Sequence, residues 1–172
     1  MRYVALWRGI NVGKAKRLAM ADLKLLLTEL GATQVATLLN SGNAVFDTGK
    51  KISGDKIRAA VADRLGVDAA VILKTSAEWQ AIAAEQPIAE ADDPSRLLVA
   101  VPASAAALQA AAGIVADSGE RFVVTEHAAY LWCGNGILES KAAVLLLKRL
   151  GEQGTTRNWA TVEKLSAVAR QG

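Results

Sequence analysis

The sequence predicts an α+β fold on the basis of its composition, its hydrophobic periodicity and the order of its elements. Of its 172 residues, 52% are hydrophobic and 22% are charged, which is typical of a globular protein with a filled interior. Short apolar runs alternate with segments of helical spacing, and this alternation occurs twice along the chain. We therefore expect one compact unit made of two subdomains, residues 1–75 and residues 76–172.

The first half has the element order β-α-β-β-α-β. Apolar residues from Met20 to Leu30 keep helical spacing, and Gly31 ends that helix. The turn Asn40-Ser41-Gly42 has a glycine where a left-handed residue is needed, as in a short hairpin loop. The order predicts a ferredoxin-like sheet, in which the third strand lies between the first and second and is antiparallel to both. The predicted strands are residues 3–8, 35–39, 43–46 and 67–74, and the second helix is residues 53–65.

The second half repeats the order β-α-β-β-α and is predicted to be a degenerate copy of the first. A C-terminal helix from Asn158 to Ala169 takes the place of the last strand. Residues 97–116 carry no charge and are long enough to span a membrane, but Pro102 and Gly113 interrupt them. We expect a buried strand followed by a helix there. The predicted elements are strands at residues 97–101, 121–125 and 130–133 and helices at residues 103–112 and 137–150.

Positive charge lies at both ends of the chain, although the formal net charge is only +3. Residues 78–139 are predominantly acidic, and basic residues again outnumber acidic ones from Lys141 onward. This asymmetry is typical of a protein with an anionic partner, although solvated helix faces also produce it. The cations that precede the first acid, Asp22, are Arg2, Arg8, Lys14, Lys16 and Arg17.

The stretch from Trp7 to Arg17 combines two glycines, an asparagine and clustered positive charge directly after the first strand. Gly9 to Lys14 is similar to a phosphate-binding P-loop, but its glycines are one position too close and Ala15 replaces the Ser or Thr that holds magnesium. Its backbone N–H groups can still cradle an anion. The alternative is a tight crossover turn whose glycines only permit positive φ. The predicted strand order brings this loop to the same sheet edge as residues 40–43.

A second candidate anion site is the segment from Thr155 to Trp159. Thr155 or Thr156 is predicted to cap the last helix, which would place Arg157 at its positive end. An arginine beside a helix N-terminus is suited to carboxylate or phosphate. The alternative is a simple cap, with Trp159 in the core and Arg157 paired with an acid. If the corresponding edges of the two halves face each other, Arg157 reaches the loop around Asn11.

Metal and covalent chemistry find little support in the sequence. His127 is the only histidine and Cys133 the only cysteine, which excludes zinc sites built from several His and Cys ligands and excludes an internal disulfide. A lone cysteine and the lack of a signal-peptide pattern favour the cytoplasm. We expect no metal and no cofactor, and the residues suggest no catalytic group.

Four stretches, spread in order over nearly the whole chain, together carry a family resemblance. They are Arg8-Gly9-Ile10-Asn11-Val12-Gly13, Ser41-Gly42-Asn43-Ala44-Val45-Phe46, Asn135-Gly136-Ile137 with Ser140-Lys141, and Thr155-Thr156-Arg157-Asn158-Trp159. They resemble one bacterial family, the domain of unknown function family 1697. The resemblance implies a two-subdomain α+β fold related to the ferredoxin-like one, and it supplies no established activity, cofactor or catalytic residue. Lys14-Ala15 departs from the further glycine and polar residues that the family often has there.

These features predict a cytoplasmic protein that binds an anionic ligand, either a nucleotide or a nucleic acid, at one edge of the sheet. Two alternatives remain: an enzyme acting on a small phosphorylated or carboxylated metabolite, and a structural or regulatory protein-interaction domain. We expect a monomer or a weak homodimer that does not contact membranes. The predicted ligand-binding residues are Arg8, Gly9, Asn11, Gly13, Lys14, Asn40, Ser41, Asn43 and Arg157.

Overall fold

The computed structural model describes residues 1–171 and contains both helices and antiparallel sheets, which confirms the predicted α+β class. The strands and α-helices follow one another in the order strand, helix, strand, strand, helix, strand, helix, twice over. The strands are β1 (Arg2–Trp7), β2 (Thr33–Leu38), β3 (Asn43–Asp47), β4 (Val71–Thr75), β5 (Leu97–Pro102), β6 (Glu120–Val124), β7 (Ala129–Cys133) and β8 (Gly154–Asn158). The α-helices are α1 (Met20–Glu29), α2 (Gly54–Leu65), α3 (Ser76–Ala84), α4 (Ala105–Ala110), α5 (Lys141–Leu150) and α6 (Trp159–Ala169).

The chain divides into two compact units. The first consists of Met1–Trp79 together with Ala167–Gly172, and the second of Gln80–Ser166. The division predicted at residues 75 and 76 kept residues 76–172 together, whereas the end of the chain groups with the first unit. Within that unit, the carbonyl oxygen of Val168 accepts from Nη2 of Arg2 at 3.3 Å, and that of Ala169 accepts from Ser76 Oγ at 3.3 Å.

The sheet of the first unit has the strand order β2-β3-β1-β4, and every neighbouring pair is antiparallel. β3 therefore lies between β1 and β2, as predicted. Tyr3, Ala5 and Trp7 of β1 share one core cluster with residues of α1 and α2, including Leu23, Leu27, Ile57 and Val61. The residues that alternate with them in β1, Val4 and Leu6, are also fully buried, as suits one of the two inner strands of the sheet.

The sheet of the second unit has the order β6-β7-β5-β8, again antiparallel throughout. Its core cluster joins alternate residues of β5 and β7 to the apolar faces of α4 and α5, among them Leu98, Leu131, Leu108 and Leu146. Cys133 belongs to this cluster and is fully buried, and burial raises the pKa of its thiol to about 11. It is therefore a small core side chain.

The prediction that a helix replaces the last strand of the second half was wrong. Residues 154–158 form β8, which pairs with β5 in the register Val101↔Thr155, Ala100↔Thr156 and Val99↔Arg157. β-branched threonines suit a strand as well as a helix cap, and a free edge of β5 makes the strand the better use of them. The cap of α6 is instead Asn158, whose Oδ1 accepts from the N–H of Thr161 at 3.0 Å.

The helix predicted over residues 137–150 is also interrupted. Residues 137–139 form a single 3₁₀ turn, and Ser140 is extended, with φ −89° and ψ 116°. Its Oγ accepts from the N–H of Ala143 at 3.1 Å, so α5 begins after a serine cap. Among the described residues, no helix combines the length and the apolar composition needed to cross a membrane.

Candidate functional site: the basic loop of the first unit

The loop between β1 and α1, residues 8–19, has an unusual density of left-handed backbone. Gly9, Asn11, Gly13 and Lys16 have φ angles of 68°, 56°, 67° and 51°. A Cβ added at Gly9 or Gly13 would meet no atom within 4 Å, so neither glycine is needed for space. Their conformation alone explains them, and the surface beside each is open.

Asn11 closes this loop onto the neighbouring turn. Its Nδ2 donates to the carbonyl oxygens of Leu18 at 2.8 Å and Asn40 at 2.7 Å, and its Oδ1 accepts from the N–H of Leu18 at 2.8 Å. Its own backbone N–H donates to the carbonyl oxygen of Lys16 at 3.0 Å. Both amide hydrogens and one acceptor position are thus used within the protein. Asn11 is the residue that gives the loop one shape.

The turn between β2 and β3 lies against the same loop, as the predicted strand order required. The backbone N–H of Trp7 donates to the carbonyl oxygen of Gly42 at 3.0 Å. A Cβ at Gly42 would lie 2.6 Å from Ile10 Cδ1 and 2.9 Å from Trp7 Cβ, and its φ is 92°. Asn43 is fully buried, and its Nδ2 donates to the carbonyl oxygen of Leu38 at 2.7 Å and to Ser41 Oγ at 2.9 Å.

Three cations of the loop are exposed: Lys14, Lys16 and Arg17. Nη1 of Arg17 donates to the carbonyl oxygens of Asn11 and Gly13, each at 3.3 Å, which folds its side chain back along the loop. None of the three forms an ion pair with a carboxylate of the described residues. The hydrogen bond from Arg58 and, to a smaller extent, the charge of Lys16 contribute to lowering the pKa of one carboxyl group, that of Asp68, below its usual value.

A pocket of approximately 320 Å³ opens beside these cations. Its wall includes the start of α1, where the N-cap residue, Ala19, offers no side chain to accept from the first N–H groups. The pocket therefore combines one cation, one carboxylate, carboxamides and a helix N-terminus that lacks a side-chain cap. The lining residues are Asn11, Arg17, Leu18, Ala19, Asp22 and Asn40.

A family model described as a protein of unknown function, DUF1697, matches residues 1–130. The chain belongs to the DUF1697 family. Among solved structures it is similar to the conserved bacterial protein SP0830 from Streptococcus pneumoniae, with a TM-score of 0.71 and 19% identity over 98% of each chain. At that identity the likeness shows the fold alone. No curated protein sequence matches the chain.

The other predicted binding residues of this DUF1697 protein fall into two groups. Arg8 is partly exposed, and its backbone N–H donates to the carbonyl oxygen of Ala70 at 3.0 Å. Asn40 and Ser41 are exposed in the turn, beside the loop. Arg157 lies in the second unit, on β8 rather than at a helix start. Its joining with Asn11 in one site stays a prediction.

Arg157 is a buried cation, with 7% of its surface exposed. Its Nη1 donates to Thr155 Oγ1 at 3.0 Å and to the carbonyl oxygen of Thr156 at 2.8 Å. Burial lowers the pKa of its guanidinium to about 10. The expected position at the exposed end of a helix was therefore wrong.

Sequence reasoning missed several members of the pocket. Arg17 belonged to the basic run, and Asp22 was noted only as the first acid of the chain. The sequence signal that could have found Arg17 and Asp22 is Asn11 between Gly9 and Gly13. Asparagine and glycine are the residues that most readily adopt positive φ, so this spacing is typical of a loop that folds back on itself. A loop closed between Asn11 and Leu18 brings residues 17–22 back beside its start. That closure was not inferred from the sequence.

Proposed function

We propose that this DUF1697 protein binds the phosphates of a nucleic acid through the loop of residues 8–19. The observation that carries the proposal is the set of three exposed cations, Lys14, Lys16 and Arg17, on one loop with no carboxylate paired to them. Cations that already serve in ion pairs would have to lose those pairs before binding phosphate. Lys14 and Lys16 lose only water, and Arg17 gives up at most its two hydrogen bonds of 3.3 Å to backbone carbonyl oxygens.

The shape of the loop supports the same function. Asn11 ties residues 11 to 18 and the β2–β3 turn together through bonds of 2.7 and 2.8 Å. A loop that already has its bound shape gives up less conformational entropy when a ligand arrives. Asn11 therefore contributes to binding as a positioning residue, and the lysines and Arg17 supply the charge.

The pocket beside the loop favours a nucleotide unit over a bare inorganic anion. Asp22 lies on its wall, and a carboxylate there repels a free phosphate ion. The same carboxylate accepts hydrogen bonds from a ribose hydroxyl or a base amino group, as does the side chain of Asn40. A nucleotide unit can place its phosphates against the loop cations and its hydroxyl or amino groups against Asp22 and Asn40 in the pocket.

The test compares two triple variants that remove equal charge. The first replaces Lys14, Lys16 and Arg17 by Gln, and the second replaces Lys50, Lys51 and Lys56, which are equally exposed on another part of the same unit. Labelled single- and double-stranded nucleic acids are titrated against each protein across a range of salt concentrations. We expect the loop variant to lose about 2 to 3 from the slope of log affinity against log salt, since each phosphate contact contributes roughly 0.7 to 0.9.

The control variant should keep most of the slope of the wild-type protein. If both variants lose the same amount of salt slope, net charge alone explains the binding, and the loop is not the binding site. If the wild-type protein binds no nucleic acid even at low salt, the proposal is wrong. Titration of a mononucleotide under the same conditions then tests the smaller ligand, for which salt dependence should be weak.

A further inference from the structure

The turn between β6 and β7 of the second unit carries a cluster of potential metal ligands. Nδ1 of His127 lies 2.7 Å from Oε1 of Glu85, and Thr125 Oγ1 donates to Oε2 of the same carboxylate at 3.0 Å. Glu126 brings a third ligand atom, and the ligand atoms of Glu85, Glu126 and His127 all lie within 4.8 Å of one another. Forty residues of chain separate Glu85 from Glu126.

Both segments that carry the ligands are held in place by other contacts. The turn is closed by the N–H of Thr125, which donates to the carbonyl oxygen of Ala128 at 2.9 Å. Tyr130 is fully buried, and its hydroxyl donates to the carbonyl oxygen of Ile82 in α3 at 2.5 Å. That bond fastens β7 to the helix that ends just before Glu85. The approach of the turn to Glu85 thus follows from the packing of the unit.

We propose that Glu85, Glu126 and His127 form a binding site for a divalent transition-metal ion, with Zn²⁺ as the best fit. One imidazole nitrogen and two carboxylate oxygens are ordinary zinc ligands. Zinc bonds of about 2.0 to 2.2 Å place neighbouring ligand atoms little more than 3 Å apart. Glu126 is exposed, so a rotation of its side chain can close the remaining gap. Three protein ligands leave a coordination position open to water or to a small anion.

The hydrogen bonds already in place suit this role. When the ion binds, the proton between Nδ1 of His127 and Glu85 passes to the solvent or, in a neutral ring, moves to Nε2, so that neutral imidazole and ionised carboxylate each donate an electron pair to the ion. The hydroxyl of Thr125 stays bonded to Glu85 and orients it, in the way that outer partners orient metal ligands elsewhere. This site is independent of the basic loop. The sequence excluded only sites with several His and Cys ligands, and the expectation of no metal is what this proposal replaces.

The composition of the chain makes the test clean. His127 is the only histidine, and the only thiol, Cys133, is fully buried, so no other soft ligand competes in the folded protein. Tag-free protein is titrated with Zn²⁺ by calorimetry and with Co²⁺ by visible absorption. The ring nitrogens of the single histidine are followed by NMR during the same titration. We expect saturable binding of one ion, with the His127 ring signals shifting in step.

Variants separate this site from general attraction of cations to acidic residues. His127→Gln and Glu126→Gln should each weaken Zn²⁺ binding at least tenfold, which is the lower end of what even indirect partners of a metal contribute. Glu163→Gln, an exposed acid of the same unit on α6, is the matched control and should change nothing. Absence of saturable binding below roughly 1 mM Zn²⁺ would overturn the proposal. So would equal binding by the Glu126→Gln and Glu163→Gln proteins.

Discussion

The two units use one sheet architecture with very different first crossovers. Each sheet has its first strand between the third and fourth in the order of that unit, and all pairs are antiparallel. In the first unit, residues 8–19 separate β1 from α1, whereas only Ala103 and Ser104 separate β5 from α4. The long crossover carries the left-handed backbone and the three exposed cations Lys14, Lys16 and Arg17. The short one contains neither.

The same contrast appears at the helix ends and at the hairpin turns. Ser104 Oγ accepts from the N–H of Ala107 at 3.2 Å, while Ala19 gives α1 no side-chain cap. The residue before β3 is Gly42, where a Cβ would collide with Ile10 of the long loop. The corresponding residue before β7 is Ala128, which has a Cβ and is fully buried. The two units therefore share the same sheet and differ in the loops that connect its strands and helices. The exposed charge and the left-handed backbone belong to the connecting loop of the first unit.

The largest expected effect of a single substitution in this comparison is at Gly42. Gly42→Ala puts a methyl group within 2.6 Å of Ile10 and 2.9 Å of Trp7, at a φ of 92°. Overpacking and backbone strain together should lower the free energy of unfolding by about 3 kcal/mol, measured by urea denaturation. Gly66→Ala is the control, because Gly66 has a φ of 71° and open space around it. It should cost only about 1 kcal/mol, and equal losses would show that crowding by the loop is unimportant.

A smaller effect is expected at Asn11. Asn11→Ala removes three side-chain hydrogen bonds of 2.7 to 2.8 Å and should lower the free energy of unfolding by about 2 kcal/mol. Asn40 accepts through its backbone, so Asn40→Ala should stay within about 0.5 kcal/mol of the wild-type protein. Hydrogen exchange should rise at the amides of Leu18 and Asn11 in the first variant alone. Retained protection there would mean that the loop keeps its shape without Asn11.

The smallest effects are expected at the two helix starts. Ser104→Ala should cost about 1 kcal/mol through loss of the cap of α4. Ala19→Ser should have the opposite sign and stabilise by about 0.5 kcal/mol, because Ala19 already has the extended backbone of a cap, with φ −75° and ψ 134°. Thermal unfolding of both proteins checks the signs. A destabilised Ala19→Ser protein would show that the start of α1 has no room for a side-chain cap.

A prediction of a different kind concerns Arg157, which the sequence had placed on the surface. Its burial means that Arg157→Ala removes a packed side chain as well as a charge, so the variant should lose at least 1 kcal/mol of unfolding free energy. Arg157→Lys, tested beside it by denaturation, keeps the charge but not the planar group that bonds Thr155 and Thr156. Two variants as stable as the wild-type protein would contradict a structural role.

Features that depend on neighbours in the chain were predictable from the sequence alone. Ser53 caps α2 and accepts from the N–H of Lys56 at 3.2 Å, Gly66 ends that helix in the left-handed conformation, and Gly42 closes the β2–β3 turn. Each is decided by the conformational limits of a few adjacent residues. The hydrophobic periodicity of the first half is also a local property, and it gives the element order β-α-β-β-α-β. That order predicted the strand order and placed the basic loop beside residues 40–43.

What the tertiary structure alone decided depends on partners far away in the chain. Residues 155–157 are compatible with a helix cap and with a strand, and the open edge of β5 selects the strand and buries Arg157. Glu85 and His127 lie far apart in the chain, and their contact accompanies the bonds of Tyr130 to Ile82 of α3 and of Thr125 to Glu85. The sequence by itself determined the α+β class, the charge of the long loop and the type of most elements, with residues 137–139 and 154–158 as exceptions, since these features follow from local propensity and composition. The burial of a polar side chain such as Arg157, and the meeting of distant side chains, required the pairing of strands and the packing of helices, because no short-range pattern records them.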